Sequence, residues 1–118
     1  MAQTLHSVVT KVVAGAAIFF LANSVYAVDA EAAKALARQN KCFNCHSVTE
    51  EKDGPAYKEV AKKFKGKANA EARLIEHLTS GEKAKFPDGH EEEHKIVKTS
   101  PPKDMDQIKN LVQWVLAQ

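Results

Sequence analysis

The 118-residue chain carries 17 Lys and Arg against 15 Asp and Glu, a net charge of +2, and two cysteines. That near-balance excludes the strongly basic footprint of a nucleic-acid binder. A chain of this length supports one small domain, and with both cysteines in one short run there is no structural disulfide to staple it.

Met1 to Lys11 holds one lysine and no acid, Val12 to Val25 is almost wholly apolar, and Val25-Tyr26-Ala27 offers small residues where a signal peptidase reads. This order predicts a secretory leader over residues 1–27, cleaved after Ala27 with Ala30 as the second choice. The apolar run is short of the about 20 residues of a membrane span, which disfavours an uncleaved anchor. The mature domain is then 28–118 in the periplasm, close to neutral and without stable membrane insertion.

A first helix is predicted over Asp29 to Asn40, capped by Asp29 and rich in alanine around Leu36. Cys42-Phe43-Asn44-Cys45-His46 follows at once. Cys-x-x-Cys-His is the attachment sequence of a c-type haem: two thiols join the porphyrin edge, and the next imidazole faces the iron. The motif predicts one covalent haem c held by Cys42, Cys45 and His46, and the haem is the expected staple of the fold.

Gly54-Pro55 reads as a turn, with Pro55 suited to a helix start. Tyr57, Val60, Ala61 and Phe64 then form an apolar stripe ended by Gly66. A third helix is predicted over Ala70 to Ser80, stopped by Gly81. Residues 82–104 show no periodicity and contain three of the four prolines and the run Glu91-Glu92-Glu93. A loop that long in so small a domain is functional or disordered, and covering the second haem face gives it a reason for order. A last helix, from about Asp104 to Ala117, carries Met105, Ile108, Leu111, Val112, Val115 and Leu116 on one broad apolar face.

Over nearly the whole mature chain the pattern resembles the small bacterial class I cytochromes c. The resemblance rests on Cys42-Phe43-Asn44-Cys45-His46, Gly54-Pro55-Ala56-Tyr57, Val60-Ala61-Lys62-Lys63-Phe64 and Leu111-Val112-Gln113-Trp114-Val115-Leu116. It implies an all-α fold of about four helices around one haem, with the first and last helices crossing beside it. It also implies that the Pro55 carbonyl accepts from the proximal histidine, here His46. The sequence departs from the family at the second iron ligand. Ser100 stands before Pro101-Pro102 where a methionine is usual, and Phe86 stands where a tryptophan often donates to a propionate; phenylalanine has no donor.

Four residues compete for the distal position. Met105 is the one methionine of the mature chain and of the family's usual ligand type, but it fits the apolar face of the last helix as a core or N-terminal staple residue, where methionine is a common gap-filler. His77 lies on the flank of the third helix as a boundary residue or a propionate donor. His90 reads as a solvated loop histidine. His94 is preferred, because His94-Lys95-Ile96-Val97-Lys98-Thr99-Ser100 resembles relatives that carry histidine in place of methionine.

The expected function is a monomeric periplasmic one-electron carrier, not an enzyme, shuttling between redox partners of a respiratory chain through weak, transient contacts. Lys41, Lys52 and the Lys58 to Lys67 group would steer an acidic partner and Glu91 to Glu93 a basic one, unless both runs are ordinary solvated surface. The alternative is a ligand-binding or sensor haem protein whose distal residue is displaced. A thioredoxin-like or zinc site at Cys42 and Cys45 is disfavoured, since there is neither a βαβ pattern nor a second cysteine pair.

Overall fold

The computed structural model describes residues 27–118 together with Gly15 and Ala17. The expected leader lies otherwise outside the described residues.

The first helix, α1 (Ala30–Gln39), begins where Asp29 adopts an extended conformation and its carboxylate accepts from the Ala32 N–H at 3.0 Å. Glu31 in the first turn and Arg38 in the last complement the helix dipole. Ala33, Leu36 and Ala37, spaced i, i+3 and i+4, are its buried residues. Two of the three are alanines, so a partner helix can approach closely.

That partner is α4 (Met105–Leu116), capped by the Asp104 carboxylate, which accepts from the N–H groups of Asp106 and Gln107. Leu111, Trp114 and Val115 from α4 form one buried cluster with Ala33, Leu36, Ala37 and Tyr57. The expected meeting of first and last helices is therefore the centre of the core. Asn110, also on α4, is the buried polar residue among those described. Its amide accepts from the Asp29 N–H and donates to the Asp29 carbonyl, both at 2.9 Å, tying the start of α1 to α4 across 81 residues.

Between these helices lie α2 (Tyr57–Phe64) and α3 (Ala70–Thr79). Tyr57 enters the core cluster, and Val60, Leu74 and Leu78 pack against it. The lysines of α2 lie off this stripe, as the spacing predicts. Gly81, at φ +70°, reverses the chain after α3.

Residues 82–104 are more ordered than their sequence suggests. Lys83–Lys85 (β1) and Glu91–Glu93 (β2) pair as an antiparallel hairpin, with Lys83 opposite Glu93 and Lys85 opposite Glu91. Opposite charges facing across the strands favour this register. A turn closes it, with the Phe86 N–H donating to the His90 carbonyl at 2.8 Å and the Gly89 N–H to the Phe86 carbonyl at 2.9 Å. Among the described residues the fold remains mostly helical, with four α-helices. Among the described residues no helix is long and apolar enough to cross a membrane.

Candidate haem site

Lys41 takes a left-handed conformation (φ 57°), ending α1, and a single 3-10 turn over Cys42–Asn44 follows. The Cys45 and His46 N–H groups both donate to the Cys42 carbonyl, at 3.2 and 2.9 Å. This tight turn sets both thiols and the His46 ring on one wall of a cavity of about 460 Å³. The volume lies in the range of cofactor pockets. Leu74, Leu78, Val97, Leu111, Val112 and Val115 give it apolar walls, and His77 and His94 complete them.

Four groups hold the His46 ring. Its Nδ1–H donates to the Pro55 carbonyl at 2.8 Å, as the resemblance implies. Because a carbonyl only accepts, Nε2 keeps the lone pair. Tyr57 stacks on the ring at 5.1 Å between centroids, 20° from parallel, and is backed edge-on by Trp114 at 5.6 Å. Gly54 passes so close that a Cβ there would stand 2.8 Å from Nδ1 and 2.9 Å from Nε2. The Gly54 N–H donates in turn to the Cys45 carbonyl at 2.7 Å, fixing that approach. The sequence marks Gly54 as a turn residue; its contact with the ring emerges only in three dimensions.

His94 follows β2 directly. Its backbone N–H donates to the Glu82 carbonyl at 2.9 Å and its Nδ1–H to the Lys95 carbonyl at 2.9 Å. Nε2 again keeps the lone pair. The segment beyond is strapped to the helices: the Val97 N–H donates to the Leu78 carbonyl at 2.8 Å, and the Asn40 amide brackets the Lys98 N–H and carbonyl at 2.7 and 2.9 Å. Burial is the leading cause that lowers the basicity of both His46 and His94. Each is thereby held neutral, the form that ligates a metal.

The other candidates stand elsewhere. Met105 is the first residue of α4, is 42% exposed and does not line the cavity. It stands at the exposed N-terminal end of the apolar face and not in the core. Both ring nitrogens of His90 face carboxylates, Asp88 on Nδ1 and Glu92 on Nε2 at 3.1 Å, and Phe86 stacks on the ring at 4.3 Å. A doubly engaged imidazole offers no lone pair.

The His46 and His94 centroids lie 6.3 Å apart. An imidazole nitrogen lies roughly 1.1–1.2 Å from its ring centroid and bonds a metal at about 2.0–2.1 Å, so two imidazoles flanking one ion put their centroids about 6.2–6.6 Å apart. Among the described residues no cluster of three or more His, Cys, Asp or Glu forms a metal cage. The cavity instead brings two imidazoles, at a separation that one iron between them would need, together with the two thiols of Cys42 and Cys45. The residues fit a haem.

A small helical domain with paired thiols and the His46 imidazole lining one apolar slot defines a single-haem c-type carrier of electrons. Comparison with known proteins agrees. The family model "Cytochrome c" matches residues 30–118. The crystal structure of the class 1 cytochrome MtoD from Sideroxydans lithotrophicus ES-1 superposes with a TM-score of 0.72 at 64% identity, covering 77% of this chain and 97% of that one. Cytochrome c-551 of Pseudomonas aeruginosa is 33% identical over 83% of this chain and 85% of its own. Cytochrome c552 of Nitrosomonas europaea shares the fold with a TM-score of 0.53 at 25% identity, over 70% of this chain and 95% of its own.

The chain belongs to the cytochrome c family and to its small class I members. It carries a covalently bound haem c, and like its homologues it transfers electrons to redox partners rather than acting as an enzyme.

Proposed function

We propose that this protein is a periplasmic, monomeric one-electron carrier in which His46 and His94 are the two axial ligands of the haem iron. The separation of the two rings, with both Nε2 lone pairs uncommitted, carries this reading. Cys42 and Cys45 form the thioether links. Pro55 positions His46 through its carbonyl, an outer partner that fixes ring orientation and raises ligand basicity. The bound haem supplies an iron that alternates between ferric and ferrous states. His46 and His94 would hold that iron from the protein side, with Tyr57 and Trp114 packed behind the His46 ring and the 94–98 strap anchoring His94. The strap's anchors on α1 and α3 favour a sealed carrier over a sensor with a displaceable ligand.

The partners are redox proteins of a respiratory chain, met in weak, transient contacts. Lysines at 41, 52 and 58–67 would steer acidic surfaces and Glu91 to Glu93 basic ones. The leader is removed after Ala27. A cut after Ala30 would delete Asp29, and with it the α1 cap and the partner of Asn110.

Absorption spectra of ferric holoprotein test the ligand pair. Ferric protein is expected to lack the weak far-red band of a sulfur–iron bond, His94→Ala to lose the six-coordinate low-spin spectrum, and Met105→Ala to keep it. A far-red band that vanishes in Met105→Ala and persists in His94→Ala refutes the reading.

A further inference from the structure

The backbone bonds that strap residues 94–98 in place do not fix the rotation of the His94 ring. One side of that ring is tethered through Nδ1 to the Lys95 carbonyl. Its face meets the His77 ring, with centroids 4.1 Å apart and planes tilted by 42°. His77 is itself immobilised: its Nδ1–H donates to the Glu82 carboxylate at 2.5 Å, and Arg73 donates to the same oxygen at 2.8 Å. Arg73 and His77 are one turn apart on α3, so both reach a carboxylate that the reversal at Gly81 carries back beside the helix. Glu82 thus acts twice, since its carbonyl also accepts the His94 N–H. One residue holds the backbone of His94 and also the wall on which its ring leans.

We infer that His77, locked by Glu82 and Arg73, is a positioning residue that holds the His94 imidazole in its iron-facing orientation. The inference rests on His94 being the distal ligand. A ring that loses its neighbour samples more rotamers, and its Nε2 leaves the ligating direction more often. The role requires a flat ring at position 77, held through its Nδ1–H, and does not require that ring to be charged.

The test is ligand exchange on holoprotein, followed by stopped-flow absorption as ferric protein binds added imidazole and ferrous protein binds carbon monoxide. An aromatic contact of this kind corresponds to about a 3–10-fold change in rate, so His77→Ala is expected to bind both ligands faster by that factor. Its ferric low-spin electron paramagnetic resonance signal should broaden. His77→Phe, which restores a ring but not the hydrogen bond to Glu82, should recover part of the difference between His77→Ala and wild type. Glu82→Gln, which keeps the carbonyl and weakens the hold on His77, should fall between. Unchanged exchange in His77→Ala, or His77→Phe behaving as His77→Ala does, overturns the inference. A His77→Ala protein whose midpoint potential moves while exchange stays constant also overturns it, assigning His77 to the haem carboxylates instead. His94→Gly separates the two layers. If its ferric spectrum equals wild type, the ligand assignment falls and the inference with it; if that spectrum changes while His77→Ala exchanges as wild type does, the inference alone falls.

Discussion

Replacing Gly54 by alanine adds one methyl group at the position where the backbone passes the His46 ring most closely. The new carbon would meet Nδ1 at 2.8 Å, Nε2 at 2.9 Å and Cε1 nearer still, whereas ordinary contact begins at 3.4 Å. The ring has little room to retreat, because Tyr57 stacks on it and Pro55 holds Nδ1. Forcing a carbon into a packed site costs about 1–3 kcal/mol, and loosening the Pro55 hydrogen bond adds about 0.5–1.5 kcal/mol. A loss of about 2–4 kcal/mol follows from these two terms. For a domain of this size that lowers Tm by roughly 8–30 °C. Thermal unfolding of ferric holoprotein at neutral pH, followed by circular dichroism and by the haem absorption, measures it. The ferric spectrum should shift in the same sample, because the ring that moves is the proposed ligand. A variant within about 3 °C of wild type and spectrally identical to it would refute the argument that Gly54 is required by the ring.

Asn110→Ala strands the N–H and carbonyl of Asp29, and because both lie near solvent the expected loss is about 1–3 kcal/mol in urea unfolding; a change below about 0.5 kcal/mol would show that water replaces the amide without cost. The His90 imidazole, between Asp88 first and Glu92 second, is pushed above its ordinary value of 6.5. Its contribution to the hairpin is therefore fully present below 6.5 and lost as pH rises through the elevated value. Proton NMR of the His90 ring should give a midpoint above 6.5 that falls in Asp88→Asn; a midpoint at or below 6.5 in wild type contradicts the paired geometry.

The helices were legible because their signals are local: Asp29 and Asp104 cap, alanines and leucines repeat at helical spacing, and Gly66 and Gly81 stop the chain. The haem motif is equally local. The hairpin was missed because Lys83-Ala84-Lys85 and Glu91-Glu92-Glu93 have no β-branched or aromatic residue and no alternation. The available signal was Pro87-Asp88-Gly89, a turn sequence with a physical basis, between runs of opposite charge. Met105 was misplaced because periodicity cannot tell the first residue of a helix, where a side chain escapes to solvent, from the positions that follow. Gly54 and the His77–Glu82 pair were invisible for a different reason. Their roles depend on contacts of a few tenths of an ångström and on a chain reversal at Gly81, neither of which sequence spacing encodes.

The bond pair between Asp29 and Asn110 also bears on when the protein folds. The central cluster needs α1 and α4 together, and they stand at opposite ends of the described chain. Contacts of such long sequence separation form only after the intervening chain is complete and its loop-closure entropy is met. A chain lacking α4 therefore has no core to close, and the slot beside it lacks the side formed by Leu111, Val112 and Val115. The position of that pair makes closure of the core a late event, in which the two ends of the domain join last.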